Sequence, residues 1–178
     1  MTSLVDAIVT TLPTLVVPLI VVLFYVDGMV IGKLTPPGAL FVAYVAIVRP
    51  TSGVLAAVAA ASVVASTLGQ WTLYRGFDRD SPEFFGIRRR VPYADRLPDV
   101  VEARVSGRRL RFVSRTFDRF GGAGLCVTNA IPDIRSLMAI PAGLASYHVP
   151  RFLLFSTLGN VGYLLLLVAL AEGLIVLF

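Results

Sequence analysis

Asp133 and Arg135, set between Pro132 and Pro141, interrupt a stretch that is otherwise apolar enough for a membrane: TNAIPDIRSLMAIPAG, Thr128 to Gly143. An ionised side chain at the centre of a bilayer costs roughly 2.5–3.5 kcal/mol on insertion scales, so a charge kept at that depth marks work done there. The bland alternative is a loop tip at which Asp133 and Arg135 pair with each other or with water. Other chemistries are poorly supplied. Cys126 is the only cysteine and His148 the only histidine, which rules out an intrachain disulfide and leaves a metal site short of ligands. Nor does an aspartate motif recur at helical spacing, as metal-assisted or nucleophilic chemistry on a lipid head group would need. We expect no enzyme activity and no cofactor.

Composition places these charges at depth. Of 178 residues 56% are hydrophobic and 15% charged, with a mean hydropathy of +0.80. Soluble domains carry about 25% charged residues. The chain reads as an all-α integral membrane protein of one domain, 1–178. Its net charge of +5 sits in one window: residues 75–119 hold twelve arginines and seven acids, and the charges outside it cancel. By the positive-inside rule that central loop is cytoplasmic in a multi-pass protein of the cell membrane. Anionic lipid headgroups are the expected partner of the arginines, which are interleaved with acids, and nucleic acid is not.

The elements that must position the charges follow in order. A first span covers 4–25, with Pro13 and Pro18 inside it. Residues 27–50 form a first hairpin, because Pro36 to Val48 is too short to cross and Pro36-Pro37-Gly38 breaks a helix at its tip. An extramembrane turn before an interfacial helix is the alternative. A second span covers 54–74, ending in Trp71 and Tyr74 as an aromatic belt with Arg75 as its anchor. Within it Gln70 is placed to hydrogen-bond across helices. The loop 75–120 starts irregular and proline-rich. From Arg108 it turns amphipathic, with Leu110, Val113, Phe117 and Phe120 at helical spacing, as an interfacial helix. A flexible run, Gly121 to Gly124, leads into a second proline-broken hairpin, 121–147, and a last span covers 150–175. His148 reads as interfacial, Glu172 as reaching water, and Gly159 and Gly162 as aids to helix packing. Two re-entrant helical hairpins, each followed by a full span, make an inverted repeat of the kind used by transporters.

These residues resemble the DedA family, also called the VTT or SNARE-associated Golgi protein domain, over most of the chain. The second-half signature of that family is matched by Phe117-Asp118-Arg119-Phe120-Gly121, then Asn129-Ala130-Ile131-Pro132-Asp133-Ile134-Arg135, then Ala142-Gly143 and Phe152. The first-half signature is matched by Asp27, by Pro36-Pro37-Gly38, and by Leu68-Gly69-Gln70 with Tyr74-Arg75-Gly76. Three family charges are absent: Asn129 stands for the first arginine of the core, Ala39 for a second acid near the first tip, and Gln70 for the acid of a Gly-Asp-like pair. The chain looks like a divergent member.

The resemblance implies a transporter of flippase type, moving a phospholipid or a polyprenyl-phosphate lipid between leaflets, with protons or ions as possible coupling partners. A phosphate crossing the core needs a cation and oriented amides, which Arg135 and the N-terminus of a hairpin half-helix would supply, with Asn129 donating beside them. Asp27 would be the counter-charge of Arg135 when no substrate is bound. Asp133, Pro132, Pro36, Pro37, Gly38 and Gln70 complete the expected transport site. A non-transporting protein of membrane assembly or morphology is the alternative function, and a lipid-phosphate enzyme a more distant one.

Overall fold

The computed structural model describes residues 2–29, 37–77, 107–131 and 135–177. Pro36, Pro132, Asp133 and the proline-rich stretch 78–106 lie outside the described residues, as do the side chains of Leu110, Val113 and Phe117. Among the described residues the secondary structure is entirely helical: α1 Thr2–Gly28, α2 Pro37–Val48, α3 Ser52–Phe77, α4 Gly107–Asn129, α5 Ala139–Leu144 and α6 Val149–Leu177.

Two of these helices, Ser52–Phe77 and Val149–Gly173, are long and apolar enough to cross a membrane. Their 26 and 25 residues rise about 39 and 38 Å, more than a hydrocarbon core of about 30 Å. At 12 residues α2 rises only about 18 Å. It opens on Pro37, which suits the first helical position because its missing N–H would be unbonded there in any case. Pro37 and Gly38 are both buried, so the start of α2 is enclosed by protein.

Arg49 follows α2 with φ 49° and Ser146 follows α5 with φ 47°. Each lets the chain turn back: the Arg49 amide donates to the Val45 carbonyl, and the Tyr147 amide donates to that of Ala142.

α4 changes direction at Gly121, whose φ of 51° and ψ of −123° leave the helical region. Only glycine adopts such a backbone without a steric penalty. The expectation of a flexible run from Gly121 to Gly124 is corrected here. Gly122 and Gly124 are helical and buried, and a side chain on Gly122 would run into the Phe155 ring. The bend is confined to Gly121 because the residues after it are already packed on α6.

Packing is pairwise and crossed: α1 lies along α3 and α4 along α6, while α2 leans on α6 and α5 on α3. The long helices α3 and α6 run antiparallel. Tyr74 of α3 meets Phe152 of α6 with ring centroids 4.6 Å apart, and further along Thr67 of α3 meets Asn160 of α6. Two apolar clusters result. One gathers Phe24, Phe41, Val45, Val63 and Leu167, and the other gathers Tyr74, Leu125, Met138 and Phe152. Between them, on both long helices, lie the polar residues of the next section.

Tyr74 departs from the sequence expectation. It is 1% exposed and its hydroxyl donates to the Tyr147 carbonyl, so it is a core residue and not part of an interfacial belt. The start of α6 and the turn before it cover the ring, which the local aromatic-then-arginine pattern could not reveal. Tyr74→Phe keeps the ring contact and removes the hydroxyl donor, so it should lower stability by about 1 kcal/mol. A thermal midpoint in detergent checks this, and an unchanged midpoint would mean that the hydroxyl contributes nothing.

Candidate functional site

Arg135 is the largest fully buried side chain of the described residues, at 2% exposure. It lies in the turn that leads into α5, where Ser136 and Leu137 carbonyls accept from the amides of Ala139 and Ile140. The surroundings must compensate a buried guanidinium. One Nη1 atom is 3.4 Å from Oδ2 of Asp27, near the end of α1. Nη2 donates to Ser66 Oγ at 2.6 Å on α3 and to Asn160 Oδ1 at 3.4 Å on α6. The faces of the guanidinium are covered by Tyr163, with Cζ 4.4 Å from its ring centroid, and by Phe24 at 5.6 Å. Among the described residues Nε has no hydrogen-bond acceptor, and Nη1 has none beyond the ion-pair contact to Asp27.

Beside the cation is a cluster of three neutral amides. Gln70 Nε2 donates to Asn129 Oδ1 at 3.3 Å and to Asn160 Oδ1 at 3.4 Å. In return Gln70 Oε1 accepts from Asn129 Nδ2 and Asn160 Nδ2, each at 3.3 Å. Gln70 Nε2 also reaches the Arg135 carbonyl at 3.5 Å, and Asn160 Nδ2 donates to Thr67 Oγ1 at 3.0 Å. Low dielectric strengthens such a network when every member is satisfied.

Backbone proximity is what makes the cluster possible. A Cβ on Gly159 would meet Asn129 Cβ at 2.5 Å and the Cys126 carbonyl oxygen at 2.6 Å, so glycine there lets α4 come close to α6. Gly162, by contrast, has nothing within 4 Å among the described residues, and its expected packing role is corrected. A Cβ on Gly38 would meet the hydroxyl of Tyr163, which connects the start of α2 to the ring stacked on Arg135.

Of the residues singled out in the sequence, Arg135, Asp27, Asn129 and Gln70 converge. Gly38 is one residue removed, through Tyr163, and Pro37 is buried at the start of the same helix. Pro36, Pro132 and Asp133 lie outside the described residues. Ala39 is exposed, and so is His148. The half-helix expected to point its N-terminus at a phosphate is α5, whose six residues are too few to sum much of a dipole. Asn160, Tyr163, Ser66 and Thr67 were not foreseen. The available signal was spacing: Ser66 and Gln70 are four apart on α3, and Asn160 and Tyr163 three apart on α6, one face in each case.

Comparison with known proteins adds a partial likeness. The chain is 33% identical over 121 residues to a protein of Lactococcus lactis subsp. lactis (strain IL1403) named "Alkaline phosphatase-like protein". A protein of the same name from Lactococcus lactis subsp. cremoris (strain MG1363) is 32% identical over the same length. Each alignment covers 64% of this chain and 50% of the relative, so the chain spans about half the length of the curated relatives it matches. No family model matches the chain. No solved structure matches it significantly.

Among the described residues the site has one cation, one anion 18% exposed and a neutral hydrogen-bonding cluster. A buried guanidinium with an Nε that no described residue bonds has the chemistry to hold an anion.

Proposed function

We propose that this chain is a multi-pass membrane transporter of flippase type, a divergent relative of the DedA family, which carries a lipid phosphate between leaflets through the Arg135 site. The observation that carries the reading is the pairing of Arg135 with Asp27 inside a bundle whose outer faces are apolar. Leu15, Leu19 and Val22 on α1, Val64 and Leu68 on α3, and Leu158, Leu165 and Leu170 on α6 are all exposed, while Arg135, Gln70, Asn129 and Asn160 are enclosed. A polar centre under an apolar surface is the distribution a bilayer demands.

The crossed packing supports an inverted repeat: α1, α2 and α3 would correspond to the second arm of α4, to α5 and to α6. Each short helix is then the inner arm of a re-entrant hairpin lying on the long helix of the other half. The basic loop 75–119 would face the cytoplasm. In the resting state Asp27 holds the guanidinium at a distance long for an ion pair, and a phosphate oxygen replaces it.

The relatives' printed name gives a second reading, phosphate-ester hydrolysis. Among the described residues no three of His, Cys, Asp and Glu come together, so metal-assisted hydrolysis would draw ligands from outside them. One experiment separates the readings. The protein, reconstituted in vesicles with NBD-labelled phosphatidic acid in one leaflet, is expected to move the label to the other and to release no inorganic phosphate. Release of phosphate would move the assignment to an enzyme. Neither transfer nor release would favour a protein of membrane assembly.

A further inference from the structure

We infer that Ser62 and Ser156 are headgroup-binding positions on either side of Arg135, and that they extend the site into a polar lane between α3 and α6. The inference rests on the transport reading and adds the route. Both serines are 0% exposed, and among the described residues both hydroxyls lack a hydrogen-bond partner. A buried unsatisfied hydroxyl costs about 1–3 kcal/mol, and alanine would avoid that cost at either position. Serine in an apolar helix normally bonds back to its own backbone, as Thr128 does to the Gly124 carbonyl at 2.9 Å. Ser62 and Ser156 do not.

Their register assigns them a place. Ser62, Ser66 and Gln70 are four apart, on one face of α3, and Ser156 and Asn160 are four apart, on one face of α6. Because the two helices are antiparallel, Ser62 lies about 6 Å from Ser66 toward one membrane surface. Ser156 lies about 6 Å from Asn160 toward the other. Two unpartnered hydroxyls therefore flank a guanidinium whose Nε has no hydrogen-bond acceptor among the described residues and whose Nη1 has only the 3.4 Å ion-pair contact to Asp27. The occupant that uses all of them is a phosphate, which presents several acceptor oxygens and passes from one donor to the next.

The test uses the full chain in vesicles. Ser62→Ala and Ser156→Ala should each keep or raise the thermal midpoint while slowing transfer of NBD-labelled phosphatidic acid roughly tenfold, the effect of one hydrogen bond to a charged group. A merely structural serine would not separate the two readouts in that direction. In a Cys126→Ser background, Ser62→Cys and Ser156→Cys should react with the impermeant anionic thiol reagent sulfonatoethyl methanethiosulfonate, each from the opposite side of the membrane. Reaction of both from one side, or of neither, overturns the lane, as does transfer at the wild-type rate in both alanine variants. Wild-type protein that transfers no lipid phosphate counts against the transport reading alone, and the thiol labelling then decides the lane by itself.

Discussion

Asp27→Asn should destabilise the protein by about 3–5 kcal/mol, the cost of leaving a buried charge without its counter-ion. The figure belongs at the lower end of that range, because Arg135 keeps Ser66 and Asn160 as acceptors and Tyr163 and Phe24 against its faces. Asn160 Oδ1 and Asp27 Oδ2 each lie 3.4 Å from a different terminal nitrogen of the same guanidinium. Adding Asn160→Asp to Asp27→Asn therefore returns a carboxylate to Arg135 from α6 and should recover part of the loss, less the bonds that Asn160 Nδ2 donates to Thr67 and Gln70. Asn160→Asp alone places two carboxylates on one cation and should be destabilising in its turn. Arg135→Gln leaves Asp27 the uncompensated partner and should abolish lipid-phosphate transfer altogether. Thermal midpoints of the four variants in detergent, with transfer assays on those that stay folded, complete the cycle. Wild-type stability in Asp27→Asn would mean that the pair is not the electrostatic centre of the fold.

The sequence displayed this pair more openly than what surrounds it. Arg135 and Asp27 stand out because charge in apolar sequence is rare and costly. Gln70 was legible as a polar amide in an apolar span, able to hydrogen-bond across helices. Asn160 was not: it is a neutral side chain between Gly159 and Val161 in the last span, and its importance appears only when Gln70, Thr67 and Arg135 arrive from distant parts of the chain. The long helices could be read from length and hydropathy alone. Tyr74 could not, since an aromatic residue before an arginine at a helix end has the same pattern whether it faces lipid headgroups or a neighbouring helix. Among the glycines, Gly159 and Gly162 are indistinguishable by spacing, yet only the first has a backbone against it.

That difference among glycines yields the other large expected effect. Gly69→Leu should lower stability by 3 kcal/mol or more, at or beyond the upper end of the usual overpacking range of about 1–3 kcal/mol. A Cβ at this position would meet the Tyr25 carbonyl oxygen, and it would lie 3.0 Å from the Gly28 Cα. Both are backbone, so no side chain can turn aside, and α1 itself must move off α3. Gly28 meets the reverse face of the same contact, with the Ser66 carbonyl oxygen 2.5 Å from an added Cβ. Two glycines thus let the helices approach at the level of the site, because Asp27 is the residue before Gly28 and Gln70 the residue after Gly69. Pushing the helices apart draws the carboxylate away from Arg135, so Gly69→Leu should lose transfer along with stability. Gly162→Ala is the control. It has open space and should be neutral or stabilising by up to about 1 kcal/mol through helix propensity. Equal midpoints for Gly69→Leu and wild-type protein would show that α1 does not pack on α3 at this distance. The ion pair would then need another means of being held together.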